Sequence, residues 1–337
     1  MVKNDNEVYK SVLEKGLSQR DRIEDAISKI FDENEIRNIF LVGCGGSLAV
    51  MIPCKYILDE LSDITVNVYN ASEFVNLNPR TFTENSLVIV SSYSGKTPET
   101  VKAANMAKAK GAPTIGFMGK DDTPLGEAVG FAFANHAETG VTDSKIIMLY
   151  QIVFNVLKKR GEYERYEEFM KSLEALPEGL VKVKETVEQR AKEFAEANKD
   201  EKQFLVLGSG ILDGEAYAQA ICIFEEMQWI HAQHINSGEF FHGSFEIVRE
   251  DTNILILKGE DLSRPLGDRA EAFSKKYSGK VTVIDTKEFE LKGIDEAFRG
   301  YFSPLVCSAV LDSYSKHIAD VRNHPLSKRK YMGIVEY

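Results

Sequence analysis

The chain repeats four landmarks in the same order, and this internal repeat constrains its fold more than any other feature. In chain order, the second copies lie 165, 166, 167 and 168 residues after the first copies. The first copies are residues 39–45, 70–74, 87–90 and 111–115, and the second copies are residues 204–210, 236–240, 254–257 and 279–283. Four matches that keep their order, at a spacing that grows by one residue each time, indicate two copies of one domain.

Within each copy, short runs of β-branched residues alternate with helical patterns such as residues 99–110. This alternation predicts βαβ units and a parallel sheet with helices on both faces. We therefore predict an α/β fold with two tandem, doubly wound parallel-sheet domains. The predicted parts are N-terminal helices at 1–34, a first domain at 35–160, a charged helical connector at 161–198 and a second domain at 199–337.

The net charge of −11 and the isoelectric point of about 5.2 argue against a polyanionic partner. An acidic chain repels nucleic acid and anionic lipid at long range, so we expect neither nucleic acid nor a membrane as a partner. No window approaches the roughly 20 apolar residues of a membrane span, and the N-terminus lacks a signal-peptide core. The four cysteines form no CxxC pair, which argues against a disulfide scaffold. We expect a reduced, cytoplasmic protein.

The loop at residues 91–97 reads SSYSGKT, and its last three letters match the end of a nucleotide-binding P-loop. A P-loop also needs a glycine five residues before Gly95, where this chain has Val90. The dinucleotide pattern GxGxxG fails as well, because Leu48 and Asp213 stand where its third glycine is required. The sequence therefore satisfies neither nucleotide motif.

Hydroxyl side chains are dense in this loop, which lies between an apolar run and a helical pattern. They belong to Ser91, Ser92, Ser94 and Thr97, and the GCGGS turn earlier in the chain adds Ser47 after Gly45 and Gly46. In an open parallel sheet, both turns are expected at the carboxyl edge, where ligands bind. Hydroxyls and unpaired N–H groups at a helix start can bind a phosphate monoester. The alternative is that Ser94 or Thr97 only caps a helix, but the number of hydroxyls favours phosphate.

The second copy of the domain provides a test of this interpretation, because residues 258–264 (KGEDLSR) align with the loop. There the dense group of hydroxyl side chains is absent, and two carboxylates, Glu260 and Asp261, take its place. A pair of carboxylates repels phosphate. We therefore expect that the first copy alone binds phosphate and that the second copy has another role.

Candidate acid–base residues lie in the second copy. Glu226 falls on a predicted helix with a packed apolar face. The apolar positions of that face are Ile223, Met227 and Ile230. A glutamate beside such a face is partly desolvated, which suits a general base. His242 follows a Ser-Gly turn, and a histidine can donate or accept a proton near neutral pH.

Two other interpretations of this region stay open. Glu225 and Glu226 can form part of a solvated helix face. His231 and His234, three residues apart, can contribute to a metal site, although no third ligand follows at a known spacing. We predict no metal and no cofactor, because one positioned base and one positioned acid suffice for proton-transfer chemistry.

Taken together, these motifs resemble the tandem sugar isomerase (SIS) family. The matching segments are GCGGS at 43–47, SxSGxT at 92–97, and E-x4-H-x10-H with GEF-x-HG at 226–243. The chain is more similar to the bacterial deglycases of 6-phosphorylated fructose-aspartate and fructoselysine than to the isomerase half of glutamine–fructose-6-phosphate amidotransferase. Segments that carry this similarity include YNASEF, ICIFEEMQWIH and HPLSKRKYMGIVEY. The resemblance implies a flavodoxin-like SIS fold in both domains.

The resemblance also implies roles for individual residues. Those implied to hold the phosphate or the sugar are Gly45, Gly46, Ser47, Ser92, Tyr93, Ser94, Thr97 and Lys330. Glu226 is implied to be the base, and His242 is implied to assist ring opening from a neighbouring subunit. A homodimer or a larger assembly is therefore expected. One departure is Tyr93, which replaces a glutamine of the amidotransferase loop.

The implied substrate is a fructosamine 6-phosphate, and the implied products are glucose 6-phosphate and a free amino acid. One alternative is an aldose–ketose isomerase that releases no amine. Another is a sugar-phosphate sensor, which would not need Glu226 or His242. Glutamine-dependent amidotransferase activity is not expected, because no cysteine precedes Cys44 to act as the glutaminase nucleophile. The identity of the amino acid stays open, and so does a glucosamine-type adduct.

Overall fold

The structure is a computed structural model, and it describes residues 2–138 and 140–336. The chain divides into two compact units. Unit 1 runs to Pro177 and includes Gly293–Asp295, and unit 2 contains Glu178–Lys292 and the residues from Glu296 onward. In the described part of the chain, no helix combines the length and the apolarity needed to cross a bilayer.

Unit 1 contains a five-stranded parallel sheet in the order β2-β1-β3-β4-β5. The strands are β1 (Asn38–Gly43), β2 (Thr65–Asn70), β3 (Ser86–Ser91), β4 (Thr114–Met118) and β5 (Phe131–Ala134). The helices are α1 (Val2–Leu17), α2 (Arg20–Glu33), α3 (Gly46–Ala49), α4 (Ile52–Leu61), α5 (Ala71–Leu77), α6 (Pro98–Lys110), α7 (Pro124–Ala128) and α8 (Val141–Lys159). This order is that of a flavodoxin-like sheet, and its direction reverses between β1 and β3.

The central strands of unit 1 are buried on both faces, as parallel strands between two layers of helices must be. β3 is buried at all six positions and β1 at five of six. On one face, Phe40 and Val42 of β1 and Val90 of β3 belong to a core with Phe74 of α5. Small alanine side chains of α6 complete this core. The packing fixes α6 so that its first residue, Pro98, follows the loop at the carboxyl end of β3.

Helix α9 (Tyr166–Asn198) lies within the predicted connector, residues 161–198. The division between the two units falls inside this helix, after Pro177. Helices α1 and α2 occupy the segment that was expected to hold the N-terminal helices. The predicted domain boundaries at residues 34, 160 and 198 stay predictions.

Unit 2 repeats the topology with four parallel strands in the order β7-β6-β8-β9. The strands are β6 (Gln203–Gly208), β7 (His231–Asn236), β8 (Asn253–Lys258) and β9 (Lys280–Asp285). The α-helices are α10 (Asp213–Tyr217), α11 (Arg264–Tyr277) and α12 (Arg299–Val321). A π-helix covers Ala218–Met227, and short 3-10 helices cover Gly210–Leu212, Glu239–His242, Ser244–Ile247, Thr286–Glu288 and Glu296–Phe298. The predicted fold of two tandem, doubly wound parallel sheets is confirmed.

Candidate active site

Two turns of unit 1 meet at the carboxyl edge of its sheet. The first follows β1 at residues 44–47, and the second follows β3 at residues 92–97. β1 and β3 are paired neighbours whose last residues, Gly43 and Ser91, are directly opposite each other. Because the strand order reverses at this point, the two turns flank the crevice in which open α/β sheets bind ligands.

Three of the predicted hydroxyls form a group in the second turn, here called the hydroxyl cluster (Ser92, Ser94 and Thr97). The Ser92 Oγ lies 2.8 Å from the Thr97 Oγ1 and 3.4 Å from the Ser94 Oγ. Ser92 is buried, Thr97 is half-buried and Ser94 is exposed, so the cluster opens toward solvent. Each hydroxyl carries a rotatable O–H that can donate to an anion oxygen.

The alternative that Thr97 only caps a helix is wrong. Thr97 is the N-cap residue of α6, but its side chain makes no capping hydrogen bond. The Ser94 Oγ accepts a hydrogen bond from the Lys96 N–H at 3.2 Å, which closes a local turn before the helix begins. The Thr97 hydroxyl is therefore part of the hydroxyl cluster and not a cap for the helix.

The backbone of this loop is held tightly at two points. Gly95 has a φ of +63°, and a Cβ at this position would lie 2.4 Å from Thr123, so glycine is required here. Tyr93 donates its hydroxyl to the Ala137 carbonyl at 2.9 Å. The Tyr93 hydroxyl therefore anchors the loop to the segment after β5, and its predicted contact with the substrate stays a prediction.

A buried lysine that the sequence did not single out lies beside the first turn. The Lys145 Nζ donates to the Ser47 Oγ at 3.3 Å. Lys145 is 3% exposed, and burial lowers its pKa to about 8. At neutral pH the amine is therefore mostly protonated, and it places a positive charge next to Ser47. Gly45, with a φ of +53°, allows the backbone to turn sharply before Gly46.

Unit 2 has its own carboxylate at the position that corresponds to the hydroxyl cluster. Asp261 aligns with Ser94, at a spacing of 167 residues. Its Oδ2 accepts hydrogen bonds from the Ser263 N–H at 3.1 Å and from the Ile211 N–H at 3.5 Å. The residue of unit 1 that aligns with Ile211 is Gly46. In unit 2, backbone amides at this edge thus bind an anion supplied by the chain itself.

The other charges of this edge in unit 2 are also paired. Glu260 accepts two hydrogen bonds from the Arg299 guanidinium, at 2.7 and 2.9 Å. Arg264 donates two hydrogen bonds to Asp285, at 2.6 and 2.8 Å. Although burial opposes ionisation, these hydrogen bonds lower the pKa of Asp285 to about 2. The charged side chains of the loop that corresponds to the hydroxyl cluster are therefore paired with other residues of unit 2.

Glu226 lies in the π-helix Ala218–Met227, which follows α10 directly. Hydrogen bonds that close at i→i+5 widen the turns, and such segments are frequent at functional sites. Of the predicted packed face, Ile230, which follows the segment, is buried as predicted, whereas Ile223 and Met227 are only half-buried. The prediction is therefore partly wrong, because the wider turns change which positions face the core. The buried apolar residues of the segment are Ala220 and Phe224, and the half-buried ones include Ile223 and Met227.

Both glutamates of this segment have partners within unit 2. The Glu226 Oε1 lies 2.8 Å from the Arg329 Nη2, and the Glu226 side chain is 24% exposed. The Glu225 Oε1 accepts a hydrogen bond from the Ala232 N–H at 3.2 Å. Neither glutamate is simply a solvated surface group. Arg329 is a second residue that the sequence analysis did not single out. The only feature of the sequence that draws attention to it is the run of basic residues at 328–330.

His242 and Lys330 are both exposed on unit 2. His242 is the last residue of a short 3-10 helix that begins at Glu239. The Lys330 Nζ lies 5.1 Å from the centre of the Tyr331 ring, whereas the adjacent Arg329 is the residue that contacts Glu226. The roles of His242 and Lys330 stay predictions.

The two histidines that were considered as metal ligands belong to one strand. His231 and His234 both lie in β7, where residues three apart point to opposite faces of the sheet. His231 is exposed, and the His234 Nε2 lies 3.2 Å from the Asp213 Oδ1. These two histidines therefore cannot share a metal ion. Within residues 2–138 and 140–336, no group of three or more His, Cys, Asp or Glu side chains could hold one.

We predict that the hydroxyl cluster contributes to phosphate binding, and Thr97→Val tests this because it removes one hydroxyl and keeps the side-chain shape. We expect the affinity for glucose 6-phosphate to fall about 10- to 100-fold, because a hydrogen bond to a charged group contributes about 1.5–3 kcal/mol. Isothermal titration measures this change. The matched control is Thr100→Val, one turn along α6, whose buried hydroxyl has no partner among the described residues. Equal affinities of the two variants would contradict the assignment.

The family model described as the SIS domain matches residues 34–155. The fructosamine deglycase FrlB of Bacillus subtilis is 43% identical over 305 residues, which cover 90% of this chain and 93% of that protein. The fructoselysine 6-phosphate deglycase of Escherichia coli is 28% identical over 326 residues, or 96% of this chain and 94% of that protein. A crystal structure from Bacillus subtilis, named as a phosphosugar isomerase, is 40% identical with a TM-score of 0.88 and covers 95% of this chain and 100% of its own. This chain therefore belongs to the SIS-domain family that includes the fructosamine deglycases.

Proposed function

We propose that this protein is a deglycase that converts a fructosamine 6-phosphate and water into glucose 6-phosphate and a free amino acid. The observation that carries the proposal is the 43% identity, over nearly the whole chain, to a fructosamine deglycase. The hydroxyl cluster and the position of Glu226 support the same chemistry, because a sugar-phosphate reaction of this kind needs a phosphate site and a base.

The phosphate is bound in the first domain, residues 35–160. Ser47 and the hydroxyl cluster donate hydrogen bonds to its oxygens, and Lys145 supplies a positive charge next to Ser47. The interaction with the phosphate is remote from the reacting carbons. Its binding free energy can therefore hold carbons 1 and 2 in position for proton transfer.

The proton transfers use residues of the second domain, 199–337. His242 moves a proton at the ring oxygen and opens the sugar ring. Glu226 then removes a proton from carbon 1, which gives an enaminol, and reprotonation at carbon 2 gives a Schiff base between carbon 1 and the nitrogen. Water adds to the Schiff base, and the carbon–nitrogen bond breaks to release the amino acid and the aldehyde form of glucose 6-phosphate. Each positioned acid or base contributes typically 10²–10⁴-fold to the rate.

The assembly and the location belong to the same proposal. We propose a homodimer or a larger assembly in which His242 acts in the active site of a second copy, and we propose that the protein works in the cytoplasm. The support is the resemblance to the amidotransferase family, in which the matching histidine comes from the neighbouring subunit. Sedimentation equilibrium at the mass of one chain would contradict this assembly.

The activity is tested by offering a panel of phosphorylated adducts, each with a different amino acid on carbon 1 of fructose 6-phosphate. We expect glucose 6-phosphate and the free amino acid to appear in equal amounts, as followed by a coupled glucose-6-phosphate dehydrogenase assay and by amino-acid analysis. Fructose 6-phosphate is the matched control substrate. Conversion of fructose 6-phosphate alone, with every adduct left intact, would identify an isomerase and overturn the proposal.

A further inference from the structure

The C-terminal segment after α12, residues 322–336, is here called the tail, and it is docked on the residues that follow Glu226. The Gln228 Nε2 donates to the His324 carbonyl at 2.8 Å. The rings of Trp229 and His324 meet edge to face at 4.5 Å. The Lys328 Nζ lies 5.0 Å from the centre of the Trp229 ring. These contacts fix the tail close to the candidate base.

The tail also holds the Arg329 guanidinium in a defined orientation. Its Nη1 donates to the carbonyls of Leu326 and Lys328, at 2.7 and 3.0 Å. Its Nη2 lies 2.8 Å from the Glu226 Oε1, and the side chains of Arg329 and Glu226 are 22% and 24% exposed. A guanidinium has five N–H donors, so it can bind a second carboxylate while its tail contacts persist. Arg329 is therefore an oriented, partly accessible carboxylate-binding group next to the base.

The substrate of the proposed function carries a carboxylate that fits this group. In an adduct formed through the α-amino group, the α-carboxylate is three bonds from carbon 1, the carbon from which Glu226 removes the proton. A guanidinium in contact with the base is therefore within reach of that carboxylate. The neighbouring charges of Lys328 and Lys330 favour an anion at the same place.

We propose that Arg329 is a specificity residue that binds the α-carboxylate of the amino-acid part of the substrate, an inference that rests on the proposed deglycase function. On binding, the substrate carboxylate replaces the Glu226 Oε1 as the partner of Arg329. That oxygen is then free to accept the proton from carbon 1. A sugar phosphate without a carboxylate leaves Glu226 paired, so the enzyme selects α-linked amino-acid adducts over simple amine adducts and over fructose 6-phosphate.

The test compares the 6-phosphofructosyl adducts of glycine and of methylamine, which differ only in the carboxylate. For the wild-type protein we expect kcat/KM to be about 10- to 100-fold higher for the glycine adduct, because hydrogen bonds between charged groups are stronger than those between neutral groups. Arg329→Met should bring this ratio close to 1, and Arg329→Lys should keep part of it. Arg249→Met, which removes a guanidinium from an exposed position elsewhere in unit 2, should keep the full ratio.

Each other outcome contradicts a defined part of the proposal. Equal rates of the wild-type protein on the two adducts would overturn the role of Arg329. An Arg329→Met variant that loses the same factor on both adducts would show that Arg329 only positions Glu226, and it would also overturn the inference. If the wild-type protein releases glucose 6-phosphate from neither adduct nor from any other fructosamine 6-phosphate, the proposed function itself fails and the inference with it.

Discussion

Glu226→Gln is expected to lower kcat on a fructosamine 6-phosphate by about 10²–10⁴-fold, the usual contribution of a positioned general base. The amide has the shape of the carboxylate but cannot take a proton from carbon 1. We expect the tail to stay docked, because its contacts with Gln228 and Trp229 do not involve the Glu226 side chain. The affinity for glucose 6-phosphate should change by less than about 2-fold, because in the proposed mechanism most of the binding free energy comes from the contacts with the phosphate. Steady-state kinetics and calorimetric titration measure the two quantities.

The matched control for this variant is Glu225→Gln. The Glu225 Oε1 accepts a hydrogen bond from the Ala232 N–H, and the carbonyl oxygen of a glutamine can accept the same bond. We therefore expect nearly normal turnover for Glu225→Gln. Near-normal turnover of Glu226→Gln would show that Glu226 is not the base. Equal losses in both variants would point to damage to the π-helix and not to the loss of a proton acceptor.

The fold could be predicted from the sequence because its signals are local and occur twice. The apolar runs at 39–42 and 87–90 are β-strands, as are their repeats near 205 and 254. The position of the hydroxyl cluster followed from the same reasoning, because a loop between a buried strand and a helix must lie at the carboxyl edge of a parallel sheet. A short motif joined to a predicted topology is thus enough to place a candidate phosphate site.

The residues that the sequence did not reveal depend on contacts between distant parts of the chain. Lys145 and Ser47 are 98 residues apart, and neither the pattern around Lys145 nor that around Ser47 indicates the other. Arg329 meets Glu226 only because the tail docks on Gln228 and Trp229. The packed face around Glu226 was partly mispredicted for a local reason, since helical spacing assumes α-helical turns and this segment is a π-helix.

Lys145→Met is expected to make the unbound protein more stable at neutral pH while weakening its affinity for sugar phosphates. Burial lowers the pKa of Lys145 from 10.5 to about 8. Between pH 8 and pH 10.5, the unfolded chain therefore holds a proton that the folded chain has lost, so the stability of the wild-type protein rises with pH through this window. Below pH 8 the whole cost of the buried charge is present, and the methionine variant should recover up to about 3 kcal/mol at pH 7.

Chemical denaturation at pH 7 and pH 10 measures the stability difference, and titration with glucose 6-phosphate measures the affinity. The stability gain should shrink as the pH rises from 8 to 10. The affinity of the wild-type protein should fall over the same range, because Lys145 loses its charge, whereas the affinity of the variant should not follow this trend.

Lys184 is the matched control, since it is also nearly buried but its amine is paired with Asp312. Lys184→Met should destabilise the protein, because it removes the more deeply buried of the two lysines that pair with Asp312, the other being Lys316. A Lys145→Met variant with unchanged stability and unchanged affinity would show that the buried amine neither costs stability nor serves the phosphate site.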